Sequence, residues 1–215
     1  VSIEERSLEL FGHEKYLTDP KLFPAGPHFL ARLGLSAGDI HAVSKSEPFI
    51  YWTKLGNNSQ EIRNVLIVEN LSFFHTAVSL LEEGNLDYNP ELLIYGEGKK
   101  IERSLSFFCR QFPKNRPLFW YAGDLDPEGI SIYIRLVEKF PEFRFALAVS
   151  IYERMLQHSS LANDAIGQIN NGTHTELFLE EFSWELKQAM RQLLLKGKRI
   201  PQEVLTIETW KRGLS

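Results

Sequence analysis

The sequence predicts an α/β fold: a compact parallel sheet flanked by helices, with an N-terminal covering segment and a C-terminal helical extension. Three observations carry this. Between Asn64 and Ser150, short apolar runs alternate regularly with amphipathic stretches. The runs lack polar alternation, as expected of parallel strands covered on both faces. The stretches between them have helical length and a three- to four-residue apolar period.

Four runs read as strands: Val65–Val68, Leu92–Tyr95, Leu118–Ala122 and Phe145–Val149. The first intervening helix places Phe74, Ala77, Val78 and Leu81 on one face. The second does so with Ile101, Leu105, Phe108 and Phe112, and the third with Ile130, Ile134, Val137 and Phe140 before Pro141. Upstream, four prolines (Pro20, Pro24, Pro27, Pro48) break the chain; Glu4–Phe11 and His28–Leu35 read as short helices and Phe49–Trp52 as a strand. Downstream, Ser159–Thr173 is polar, and Glu176–Lys196 has one continuous helical pattern stopped by Gly197. That helix is expected to pack on its own chain rather than on a second copy. The expected segments are 1–63 (linker and covering layer), 64–158 (α/β domain) and 159–215 (helical extension).

With 215 residues, 43% hydrophobic and 24% charged, the chain can bury a sizeable core and is not a disordered tail. No apolar run approaches the roughly 18–20 residues of a membrane span, and the N-terminus lacks a signal-peptide pattern. Cys109 is the only cysteine, which excludes an intrachain disulfide and a thiolate metal cage; a cytoplasmic setting is expected. A first residue of Val suggests a piece of a longer protein. The net charge of −4 argues mildly against a surface coated for nucleic acid, but a total does not describe local patches.

Ligands of parallel sheets bind beyond the carboxyl ends of the strands. Glu69 follows the first run, Gly96-Glu97-Gly98 the second, and Gly123-Asp124-Leu125-Asp126-Pro127-Glu128-Gly129 the third. Glu69, Asp124 and Asp126 should therefore converge on one edge. Clustered carboxylates raise one another's pKa unless a cation is bound, and hard oxygen donors favour Mg²⁺ or Mn²⁺. A phosphoryl-transfer site follows, with these three acids as metal ligands and catalytic groups. Each piece also has a plain reading, since an acid after a strand is often a cap and Asp-x-Asp-Pro-x-Gly starts helices. The glycines match neither a P-loop nor a dinucleotide fold.

At these residues the chain resembles the toprim domain, the metal-dependent module of topoisomerases, primases and related nucleases. The carriers are Val65-Leu66-Ile67-Val68-Glu69-Asn70, Tyr95-Gly96-Glu97-Gly98 and Tyr121 to Gly129. The Asp-Pro-x-Gly ending is similar to the subgroup in type IIB topoisomerase A subunits. More similar still is the C-terminal region of the Wadjet JetD family, nuclease subunits of a bacterial plasmid-defence system. That likeness adds Arg6 to Leu17, departing at His13, and Lys198-Arg199-Ile200-Pro201-Gln202-Glu203, where Pro201 replaces an expected acid.

The resemblance implies metal-dependent cleavage of duplex, circular plasmid DNA by toprim domains of two subunits, a homodimer in the full-length form. It also implies a partner complex of condensin-like, SMC-type ATPases. Glu69 would be a metal ligand or general base, and Asp124 and Asp126 metal ligands. Glu203 and Glu128 are candidate additional acids; Lys99, Lys100, Arg103, Lys198 and Arg199 are candidate DNA contacts. Topoisomerase relatives cleave through a tyrosine. Here Tyr95, Tyr121 and Tyr133 read as core, and Tyr16, Tyr51 and Tyr88, which could be exposed, sit in no winged-helix pattern, so hydrolysis by water is expected, with a tyrosine nucleophile as the alternative. A non-cleaving scaffold for a DNA end or protein partner is a second alternative. A phospho-receiver domain is a third, but only one acid follows the first strand.

Overall fold

The computed structural model describes residues 1–43, 45, 47–53 and 61–212. It divides into two compact units, Val1–Glu47 and Pro48–Ser215. In the first, helix α1 (Ile3–Phe11) starts on a capping box, in which the Ser2 hydroxyl accepts from the Glu5 N–H and the Glu5 carboxylate from the Ser2 N–H. Ser7 is fully buried and ties the following turn, donating to the His13 carbonyl at 2.8 Å and accepting from the Leu17 N–H at 3.2 Å. A Cβ at Gly26 would stand 1.6 Å from the Tyr16 carbonyl oxygen, so only glycine fits where the chain turns toward α2 (Phe29–Arg32).

The second unit holds the sheet. Its strands are β1 (Ile50–Thr53), β2 (Asn64–Val68), β3 (Leu92–Tyr95), β4 (Leu118–Ala122) and β5 (Arg144–Leu147), in the order β1-β3-β2-β4-β5. β2, β3, β4 and β5 are parallel, and Val65–Val68 at the centre of the sheet are fully buried, as strands covered on both faces are. β1 pairs antiparallel with β3, so the sheet is mostly rather than wholly parallel. β1 was expected in the covering segment 1–63, but the compact units part at residue 47, because its ladder to β3 makes it an edge strand of the sheet.

Four helical segments follow the strands. α3 (Leu71–Glu82) is capped by Asn70, whose side chain accepts from the Phe73 N–H. The stretch 101–112 is not one helix: α4 (Ile101–Ser104), a 3-10 turn and α5 (Phe108–Gln111) follow one another, still burying Ile101, Leu105 and Phe108. α6 (Pro127–Lys139) starts on Asp126, with Pro127 at the position where its missing N–H costs nothing. α7 (Val149–Gln157) begins at Val149, which was expected inside the last strand; β5 stops at Leu147.

The expected helix 176–196 is two helices. α8 (Gly172–Leu179) is capped by Asn171 and α9 (Trp184–Leu195) by Ser183, whose hydroxyl accepts from the Leu186 N–H. This second cap interrupts a continuous apolar pattern. Phe178, Leu179, Phe182, Met190 and Leu194 from this region are buried in the same core as the sheet, so the extension packs on its own chain. A two-strand ribbon, β6 (Asn163–Asp164) with β7 (Lys198–Arg199), and α10 (Ile207–Arg212) complete the unit. Trp210 of α10 is 1% exposed; its Nε1–H donates to the Asn85 carbonyl, and Arg154 lies over its ring at 4.3 Å.

Candidate functional site

Strand order fixes where a ligand would lie. From β2 the chain crosses to β3 on one side, whereas β4 leads to β5 on the other, so β2 and β4 flank the switch point of the parallel sheet. The register pairs Val68 with Ala122, which sets Glu69 beside Gly123 at that point. The structure thus brings Glu69, Asp124 and Asp126 to one edge. Glycines make the approach: a Cβ at Gly123 would stand 2.6 Å from Glu69 Oε2, and one at Gly129 only 2.4 Å from the Asp124 carbonyl.

Each acid has a distinct setting. Glu69 Oε2 accepts from the Tyr121 hydroxyl and the Asp124 N–H, both at 3.3 Å. Burial, with the nearby charges of Asp124 and Asp126, pushes its carboxyl up to about 8. Asp124 is raised to about 6 by burial and by Asp126, against the Gln202 N–H and the Arg199 guanidinium, which favour its charged form. Asp126 is buried, caps α6 through the Gly129 N–H at 2.8 Å, and accepts from Gln168 Nε2 at 2.8 Å.

The C-terminal segment supplies the rest. Leu125 and Ile200 exchange both backbone hydrogen bonds, pinning that segment to the acid loop. Arg199, expected as a DNA contact, instead pairs with Asp124 at 2.9 Å and Asp126 at 3.4 Å. Fully buried Gln202 accepts from the Glu69 and Asn70 N–H groups, donates to the Ala122 carbonyl, and gives its own N–H to Asp124 at 2.9 Å. Glu203 accepts from Asn70 Nδ2 at 2.6 Å, beside the edge rather than among the three acids. Sequence reasoning missed Gln202 and Gln168. For Gln202 a signal existed in the Gln-Glu pair, where only the acid was weighed.

The other candidates lie elsewhere. Glu128 is held by Lys99 at 3.1 Å and Arg135 at 2.8 Å. Lys100 pairs with Glu97, and Lys198 with Asp164. Arg103 is exposed on α4. Tyr121 and Tyr152 are buried at the edge, and burial first and Glu69 second push both phenols well above their ordinary value, although the Gly123 N–H donating to Tyr152 opposes this. Neither is presented as a nucleophile.

Among the described residues, no group of three or more His, Cys, Asp or Glu stands ready-made around a metal position. The reason is local: Arg199 and Gln168 occupy oxygens of Asp124 and Asp126, while Glu69 faces the Asp124 amide. The donor chemistry nonetheless fits Mg²⁺ or Mn²⁺, because all three groups are hard carboxylate oxygens and their mutual repulsion is what a divalent cation relieves.

A mostly parallel α/β sheet with acids at its switch point defines a class consistent with a toprim-like fold. The particular family is shown by sequence: the model of the family described as Wadjet protein JetD, C-terminal, matches residues 29–214, and the chain belongs to that family. Its membership implies a region of a Wadjet system subunit. The phrase Arg6 to Leu17 lies outside the match and carries none of it. None of the curated proteins compared matches the chain. Among the described residues no helix is long and apolar enough to cross a membrane.

Proposed function

We propose that this chain is the metal-dependent DNA endonuclease region of a plasmid-defence subunit, hydrolysing phosphodiester bonds at the β2/β4 edge. The observation that carries the reading is the convergence of Glu69, Asp124 and Asp126 at the switch point. Glu69, Asp124 and Asp126 would hold Mg²⁺ or Mn²⁺, with Glu203 as an outlying acid. Bound there, the ion supplies neutralisation of the phosphate and a lowered pKa for water. With a divalent cation bound, the burial and neighbouring charge that raise the Glu69 carboxyl would be offset, and the ionised carboxylate would be the group suited to take a proton from the attacking water. Asp124 and Asp126 are kept in place by Gln202 and by the start of α6. Arg103, exposed on α4, and Lys99, Lys100 and Lys198, which would exchange Glu128, Glu97 and Asp164 for phosphate, are the cations that would contact the DNA backbone. In this reading two copies act on one circular duplex delivered by a condensin-like SMC-type ATPase complex.

The test uses the full-length protein with its partner complex and circular DNA. Glu69→Ala and Asp126→Ala should abolish nicking and linearisation; variants as active as wild type overturn the assignment. One observation favours a second reading, a non-cleaving scaffold: the pairing of Arg199 with two of the acids neutralises part of the edge without metal. Calorimetric titration with Mn²⁺ separates them, since a scaffold shows no acid-dependent binding.

A further inference from the structure

Arg199 reaches the acids because the backbone carries it there. β7 is held on one side by its ladder to β6 and extended by the Leu125–Ile200 bridge to the acid loop. Gln202 then takes Asp124 Oδ1, leaving Oδ2 to the guanidinium. The two terminal nitrogens of Arg199 meet Asp124 Oδ2 at 2.9 Å and Asp126 Oδ2 at 3.4 Å. Its third nitrogen, Nε, is buried with no hydrogen-bond partner. The two carboxylates therefore hold the guanidinium through its terminal nitrogens alone, and no acceptor among the described residues fixes it at Nε. Its side chain is 27% exposed, which leaves a way out to solvent.

We propose that Arg199 is an internal counter-cation that competes with a divalent metal ion for Asp124 and Asp126, so that metal entry requires the guanidinium to leave. This rests on the reading of the acid edge as a metal site. A guanidinium and a divalent cation cannot both contact the same two Oδ2 atoms without repelling each other. The aspartates therefore have a partner in either state, and the edge is never left with two uncompensated buried charges.

The experiment is Mn²⁺ titration by calorimetry, with melting curves, on the wild-type chain and on Arg199→Gln and Arg199→Lys. Arg199→Gln should bind Mn²⁺ about tenfold more tightly, a coupling of ordinary size between linked sites. Arg199→Lys should fall between, because an ammonium is a point charge without the fork that spans both acids. Without metal, Arg199→Gln should melt below wild type, and Mn²⁺ should raise its melting temperature by more. Where Arg199→Gln is too unstable to titrate, Arg199→Lys carries the comparison. Mn²⁺ bound by the variant alone supports the proposal in its strongest form. Wild type binding as tightly as both variants, or more tightly, overturns the proposal and leaves the metal-site reading standing. Binding by none of the three overturns the metal-site reading and this proposal with it.

Discussion

Asp126 and Glu128 are two residues apart at the start of α6 yet belong to opposite electrostatic regimes. Asp126 faces the strand edge, where it and Asp124 share the guanidinium of Arg199 while the donors facing Glu69 are neutral. Glu128 joins Glu102, Lys99 and Arg135 in a cluster of two acids and two bases near solvent. Burial raises Glu128, but hydrogen bonds from Arg135 and Lys99 outweigh it and hold the carboxyl below its ordinary value. At the edge the balance runs the other way, with Glu69 at about 8 and Asp124 at about 6. A surface cluster supplies its own counter-charges, whereas the edge is short of them. That deficit is what makes it a candidate for metal and the other a helix-surface network.

The sharpest way to break this comparison is pH. A carboxyl raised on folding gives stability that is fully present below its unfolded value, here about 4.5, and lost as pH rises toward about 8. The metal-free protein should lose stability across that window, with Asp124 adding to the loss between about 3.8 and 6. Glu69→Gln mimics the protonated acid and should flatten much of the slope, by up to several kcal/mol at the alkaline end. Urea denaturation in chelator at stepped pH measures it. A wild-type profile that rises across the window would mean the edge is not short of positive charge.

Next in size is Gln202→Leu. It removes an acceptor from the Asn70 N–H and a donor from the Ala122 carbonyl at a buried position. The expected cost is about 2–4 kcal/mol by urea denaturation, with weaker Mn²⁺ binding, because the end of β2 that carries Glu69 loses its clip to β4, while the backbone N–H of residue 202 still holds Asp124. Gly129→Ala should cost about 1–3 kcal/mol, since its Cβ would stand 2.4 Å from a backbone carbonyl that cannot swing aside.

These residues also show what the sequence made legible. The strands were legible because strands buried on both faces must be uniformly apolar, and Glu69 and Asp124 because parallel strands put their following residues on one edge. The clip was not. Gln202 and Asn70 are 132 residues apart, and Gln168 and Asp126 are 42 apart, so no local pattern joins them. Arg199 read as one more basic residue near the end because its nearer partner in space, Asp124, lies 75 positions upstream. The helix break at Ser183 was hidden for the opposite reason: the apolar period runs across it while a single hydroxyl caps the second helix.

The smallest expected effect belongs to the balanced cluster. Glu128→Gln loses the pairs to Lys99 and Arg135, but Arg135 keeps Glu102 at 2.8 Å and Lys99 is exposed. Exposed pairs contribute about 0–1 kcal/mol, and salt screens them further. Stability should therefore change by less than about 1 kcal/mol, and by less still in high salt, with Mn²⁺ affinity unaltered. Because Glu128 is depressed, its contribution is present at neutral pH and lost on acidification, the reverse of Glu69. If Glu128→Gln instead weakened Mn²⁺ binding as Asp126→Ala is expected to, the two clusters would have to be redrawn as one site, with Glu128 among its ligands.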